Sequence, residues 1–267
     1  MAVDHVGFQL MDNNLFMRLI GRTAFMVYAF LMAEGYYHLK DAPDRLAKHA
    51  GKLVLLCLVT EVPFDLFEFR QWVNFQTQSV LPTLLLGFAA LIVSGRWMAY
   101  AAPVGSARQI EHAAPDGMAE TDAAGGRRII GIAGSIAICL AAAAAARVIH
   151  SEYSFAGVLL VVMFYLCMEK TGEEPFPVRA LALAGVYAAY LLLYIWQRSG
   201  FGGWQEFTAM ARGYRLWFSA TGLTIIPLLF YNRQLGYHSR WFDALYSCFY
   251  PLQFVVIIMV RMFLEHS

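Results

Sequence analysis

Residues Leu15–Tyr37 read LFMRLIGRTAFMVYAFLMAEGYY, and only Arg18, Arg22 and Glu34 among them are charged. A bilayer core requires about 20 consecutive apolar residues, so the stretch is long enough to cross one. A helix is the form in which its backbone polar groups are satisfied without water. An ionised side chain in hydrocarbon costs at least about 2.5 kcal/mol on insertion scales, so the charges inside such a segment need partners. Arg18 and Arg22 stand four residues apart and share a helix face, as do Glu34 and His38 towards the other end.

Outward from this segment the same pattern repeats. Apolar blocks follow at Gly51–Phe67, Ser79–Arg96, Ile129–Val148, Tyr153–Met168, Val178–Gln197, Leu216–Tyr231 and Trp241–Phe263, and a short apolar stub, Val3–Met11, precedes it. The expected fold class is all-α: a polytopic transmembrane helical bundle of about 8–9 membrane helices, forming a single domain over residues 1–267 with one longer cytoplasmic loop at about 101–128. The chain is 59% hydrophobic and 15% charged, against about 25% charged in soluble proteins, which leaves too little polar surface for a water-soluble globule. A net charge of +1 gives no electrostatic case for nucleic acid. Cys57, Cys139, Cys167 and Cys248 lack the spacing of a zinc site or a disulfide framework and read as buried thiols, so no metal is expected. Acidic Asp4 and the want of a basic leader argue against a signal peptide. Lys and Arg are retained on the cytoplasmic side during insertion; twelve fall on the side of the Lys40–Lys52 loop and four, Arg70, Arg198, Arg212 and Arg215, on the other, which places the start of Leu15–Tyr37 at the outer face.

The second block carries Glu61 and Asp65, also four residues apart. At about 1.5 Å of rise per residue, Arg22 lies roughly 10 Å below the outer end of its segment and Glu61 roughly 9 Å below that of the next. An antiparallel hairpin would set two arginines level with two carboxylates, each cancelling much of the other's desolvation. The plainer alternative is a helix-to-helix clamp with no chemistry. His5 in the stub falls at a similar depth, and an imidazole is the side chain suited to proton transfer near neutral pH. Asp4, its neighbour, is expected to point elsewhere, leaving Glu61 or Asp65 to orient the ring.

The runs Val3-Asp4-His5-Val6-Gly7, Arg18-Leu-Ile-Gly-Arg-Thr-Ala-Phe25, Ala29-Phe-Leu-Met-Ala-Glu-Gly-Tyr-Tyr-His38 and Glu61-Val-Pro-Phe-Asp65 resemble, in order and spacing, the TraX family of membrane acetyltransferases. Thr83-Leu-Leu-Leu-Gly87, Phe155-Ala-Gly157, Phe164-Tyr165, Pro227-Leu-Leu-Phe-Tyr-Asn232 and Phe249-Tyr-Pro-Leu252 are similar to its later blocks. The resemblance implies a multi-pass enzyme of the bacterial inner membrane, similar to the pilin acetylase of conjugative plasmids, with acetyl-CoA as acyl donor. Its polar motif positions fall on Asp4, His5, Arg18, Arg22, Glu34, His38, Glu61 and Asp65. Three positions depart from the family pattern: only three residues precede the Asp-His pair, Gln253 stands where His is usual, and Pro82 where an aromatic is common.

Acetyl transfer needs a base, a stabiliser of the carbonyl oxyanion and a site for the donor. His5 is the expected base, Arg22 or Arg18 the oxyanion stabiliser, and Glu61 and Asp65 orient them. The nucleotide end of CoA is expected on the basic loop at Lys40, Arg45, Lys48 and Lys52, with Glu34 and His38 at the entrance, and the resemblance adds Asn232 to the donor side. Expected partners are acetyl-CoA, the lipid bilayer, and an acceptor that is a peptide, a pilin-like protein or a small molecule bearing an amine or hydroxyl. The alternative is a proton- or ion-coupled transporter using the same charges.

Overall fold

A computed structural model describes residues 1–101, 117–172, 174–231 and 239–266. Asn232 and most of the expected loop lie outside these residues. The described chain is built from helices: α1 (Ala2–Gln9), α2 (Leu15–Leu39), α3 (Pro43–Phe69), α4 (Val80–Ala101), α5 (Gly117–Val148), α6 (Ser154–Thr171), α7 (Phe176–Arg198), α8 (Trp204–Gly213), α9 (Arg215–Gly222), α10 (Ile225–Leu229) and α11 (Arg240–His266). Helix α5 begins inside the stretch expected to be loop.

Among the described residues six helices are long and apolar enough to cross a membrane: α2, α4, the Gly125–Val148 part of α5, α6, α7 and the Ser247–His266 part of α11. The chain is thus a multi-pass helical membrane protein, and the expected 8–9 membrane helices slightly overstate the six found among the described residues. The stub gives only the eight-residue α1, about 12 Å long. Helix α3 has the length but carries too many charged residues, from Asp44 to Glu68. The block Leu216–Tyr231 is interrupted between α9 and α10. Pro227, inside α10, has no N–H for the carbonyl of Leu223, which accepts instead from Ile226 N–H at 3.2 Å, a tighter turn that accompanies the break after Gly222. Pro63, by contrast, sits inside an unbroken α3.

The core is centred on α2, α4, α6 and α7, with Phe25, Met26, Ala29, Phe30 and Ala33 of α2 buried against Leu84, Phe88, Leu160 and Phe164. Small residues permit the close approach of these helices. A Cβ added at Gly87 would stand 2.9 Å from Val161 Cβ, and one at Gly157 would stand 2.9 Å from Phe25 Cζ. Contacts between distant segments fix the two ends of the bundle. At one end Gln78 N–H donates to the carbonyl of His150 at 3.1 Å, and Arg70 Nη2 donates to Glu265 at 2.6 Å. At the other, Lys40 meets Glu169 at 3.5 Å, and Arg179 reaches the carbonyl of Leu229 at 3.4 Å.

Candidate functional site

Helix α1 folds back on the first turns of α2 through the turn Leu10–Asn14, where Asp12 and Asn13 adopt positive φ and the Asn14 side chain accepts from Met17 N–H at 3.2 Å. The helices approach so closely that α1 lies on Gly21: a Cβ there would stand 2.5 Å from Asp4 N and 2.7 Å from Asp4 Cα. A residue with no side chain in the middle of α2 thereby places the Asp4 carboxylate, 8% exposed, against two arginines one turn apart. Arg18 Nε pairs with Oδ1 at 3.4 Å and Arg22 Nε with Oδ2 at 3.8 Å. Asp4 was expected to point elsewhere; instead it is the carboxylate that meets the arginines.

The two arginines differ in how they are satisfied. Arg18 donates to Asp4 and to Asn13 Oδ1, and its guanidinium lies over the Phe8 ring. Arg22, with its side chain 15% exposed, makes no hydrogen bond among the described residues. Its guanidinium has the Asp4 ion pair and the face of Trp217, 4.4 Å away. A guanidinium carries five N–H donors, and a buried one without hydrogen bonds is costly to keep.

Arg22 forms part of the wall of a narrow cleft, together with Phe25 and Met26 of α2, Tyr153 at the start of α6, Tyr190 and Tyr194 of α7, and Tyr214, Trp217 and Thr221 at α9. Tyr153 stacks on Phe25 at 3.5 Å, and Arg198 Nε donates to Tyr194 Oη at 3.2 Å. The turn that delivers Tyr153 is tightly held. His150 and Ser154, neither a glycine, both have positive φ, and Ser151 donates through its N–H and its hydroxyl to the carbonyl of Ala146. Strained turns of this kind persist where the surroundings over-determine them. Between the two strained residues sits Glu152, whose carboxyl burial pushes above the usual range while the nearby Arg22 and Arg198 oppose that rise.

The other expected residues fall outside this cleft. The His5 ring is buried between Phe67 and Phe254, with centroids 5.2 and 4.7 Å away, and its Nδ1 has no hydrogen-bond partner. Glu61 accepts from Ser79 Oγ at 2.6 Å and from Ser79 N at 3.4 Å, and Asp65 accepts from Asn74 N at 2.8 Å. The expected pairing of these carboxylates with Arg18 and Arg22 therefore gives way to a different one. Both hold the α3–α4 connection, because the N-terminus of α4 and its leading loop present backbone N–H groups that a carboxylate satisfies.

At the opposite end of the bundle, Glu34 and His38 lie 3.7 Å apart, and Lys40, held by Glu169, lies over the rings of Tyr37 and Tyr165. Arg45 and Lys48 are exposed on the first turns of α3. From Arg22 to His38 is about 24 Å along α2, and the face between them is filled by Phe25, Met26, Ala29, Phe30, Ala33 and Tyr36. The residues that sequence reasoning passed over are the cleft's tyrosines, Trp217 and Glu152. One signal was available: Tyr187, Tyr190 and Tyr194 recur at three and four residues, the spacing of one helix face.

A family model described as "TraX protein" matches residues 1–261. No curated protein and no solved structure matches the chain.

Proposed function

The chain belongs to the TraX family, and for a member carrying this site we propose acetyl transfer from acetyl-CoA to an amine or hydroxyl acceptor, in the bacterial inner membrane. The observation that carries the reading is Arg22: a mostly buried guanidinium in the wall of a cleft, held by Asp4, with donors that no other described residue uses. The negative charge that develops on a thioester carbonyl oxygen as the acceptor attacks is what such a group stabilises, and charge-assisted hydrogen bonds in a water-poor cleft are strong.

In this reading Arg22 faces the oxyanion, and Asp4 orients Arg22 and takes the acceptor's proton. Arg18 fixes Asp4 from the other side. His5 packs α1 onto α3 and α11 through Phe67 and Phe254, which makes it a positioning residue. Glu61 and Asp65 keep the start of α4 in place. The phosphates of CoA meet Lys40, Arg45 and Lys48 at the other end, beside Glu34 and His38. Because the α2 face between the two ends is packed, the pantetheine arm enters when the helices against that face part.

The test is purified full-length protein in nanodiscs with radiolabelled acetyl-CoA, CoA release being followed with amine, peptide and sugar acceptors. Acceptor-dependent release is the expected result. Saturable ion uptake without CoA turnover would replace the reading by transport.

A further inference from the structure

The turn between α5 and α6 brings Glu152 to the Arg22 site, and nothing in the fold uses its carboxyl there. We propose that Glu152 is the general acid of the reaction, giving a proton to the sulfur of CoA as the thioester bond breaks. The inference rests on acetyl transfer being the activity.

The turn itself argues first. Glu152 stands between His150 and Ser154, whose positive φ is a conformation that residues other than glycine adopt under strain. Three neighbouring segments hold the turn in that shape. Gln78 N–H, ahead of α4, donates to the carbonyl of His150 at 3.1 Å, Ser151 donates twice to the carbonyl of Ala146 in α5, and Ala156 N–H donates to Gln197 of α7 at 3.2 Å. The Glu152 side chain takes no part: among the described residues it makes no hydrogen bond and no ion pair.

A carboxylate kept for architecture is paired, and its neighbours show this. Asp4 holds Arg18 and Arg22, Glu61 holds Ser79, and Asp65 holds Asn74. Glu152 is left uncommitted and partly accessible, so a departing group can reach it.

The surrounding charges suit an acid. Burial raises the Glu152 carboxyl above its usual range, Arg22 and Arg198 oppose the rise, and Asp4 and Glu68 add to it. The group therefore keeps its proton more readily than a solvated glutamic acid does. Once the proton is given up, Arg22 and Arg198 stabilise the carboxylate that remains. Asp4, paired with two arginines, is arranged the opposite way, to accept. Two carboxyls in contrasting surroundings are how one site supplies an acid and a base at the same pH.

Atoms and protons balance without a further reactant. The acceptor, a neutral amine or hydroxyl, attacks the thioester carbonyl; a C–N or C–O bond forms and the acceptor's proton passes to Asp4. The C–S bond then breaks with its electron pair on sulfur, which takes the Glu152 proton, and CoA departs as the thiol. The proton on Asp4 returns through water to Glu152, and the site is restored with no net uptake or release.

The leaving group separates this role from a structural one. Full-length protein in nanodiscs is given acetyl-CoA or p-nitrophenyl thioacetate, whose thiolate leaves without a proton, with glucosamine or an alanyl tetrapeptide as acceptor. Rates are corrected for reaction without protein. Glu152→Gln is expected to lower turnover of acetyl-CoA by about 100-fold or more, and that of p-nitrophenyl thioacetate by less than about three-fold. Glu152→Asp is expected to keep part of the acetyl-CoA rate, and Arg22→Gln to lower the rate with both donors. Glu152→Gln should melt no lower than wild type near neutral pH, because it removes a carboxyl whose ionised form burial disfavours. Unchanged acetyl-CoA turnover in Glu152→Gln, or equal losses with the two donors, overturns the acid assignment and leaves acetyl transfer standing. A wild-type protein that turns over neither donor with either acceptor removes acetyl transfer and the acid with it.

Discussion

Replacing Gly21 by alanine should damage the protein, although in an ordinary helix interior the same change stabilises by about 0.5–1 kcal/mol. The added Cβ would stand 2.5 Å from Asp4 N and 2.7 Å from Asp4 Cα, and both are backbone atoms that cannot rotate away. Unstrained carbon contacts lie at about 3.5–4.0 Å, so α1 must retreat by about 1 Å. The Asp4–Arg22 separation, 3.8 Å in the native arrangement, then passes beyond ion-pair range and Arg22 loses its carboxylate. Overpacking of this kind costs about 1–3 kcal/mol, which more than offsets the helix-propensity gain. A misplacement of about 1 Å at reacting groups lowers turnover by about 100-fold. The assay is CoA release from radiolabelled acetyl-CoA in nanodiscs, run beside thermal melting of the same preparation. A Gly21→Ala protein that melts higher than wild type and turns over normally would refute the argument that Gly21 seats Asp4.

Three further outcomes are expected. Glu61→Ala removes the 2.6 Å bond to Ser79 and should lower stability by about 1–3 kcal/mol in denaturant melts, with kcat of the folded fraction changed by less than about three-fold; a large loss of kcat at unchanged stability would return Glu61 to the reacting site. His5→Phe keeps the ring between Phe67 and Phe254 while removing a buried nitrogen without a partner, so it should melt no lower than wild type and keep most activity; loss of turnover in a well-folded His5→Phe protein would make His5 the base. Glu152, whose carboxyl burial raises above its unfolded value of about 4.3, binds more protons in the native state than in the unfolded one, so wild-type stability should fall as pH rises from that value through the raised one. Melting of Glu152→Gln across pH 4–8 should lack that part of the slope, and parallel curves for the two proteins would contradict the assignment.

The membrane-bundle class was legible from apolar block length, and α2, α4, α6 and α7 were placed within a few residues, because a span of about 20 apolar residues is a strong one-dimensional signal. The count failed where that signal is weak. Apolar block length alone does not show the break between α9 and α10, and it gives too little weight to the charges that leave α3 short of a spanning composition. At the site, the sequence set His5, Arg22 and Glu61 at one depth and had Asp4 point elsewhere, whereas the structure pairs Asp4 with Arg18 and Arg22. Depth ranks residues along the membrane normal and is silent about azimuth, so Glu61 and Asp65 were the expected partners of the arginines and Asp4 was not. The choice was made by Gly21, whose missing side chain brings α1 against α2. The tyrosine cleft depends on α7 and α9 meeting α2 across long stretches of chain, and the α7 spacing was its one local trace.

If Arg22 stabilises the reaction's developing negative charge, its removal must act on kcat. The most direct test is kcat and KM for acetyl-CoA in Arg22→Gln, a change that keeps much of the side chain and removes its charge. Loss of such a donor elsewhere lowers kcat by about 100- to 1,000-fold. The expected result is a kcat fall of that size with KM for acetyl-CoA and the melting temperature close to wild type. An Arg22→Gln enzyme with kcat within about three-fold of wild type would contradict it.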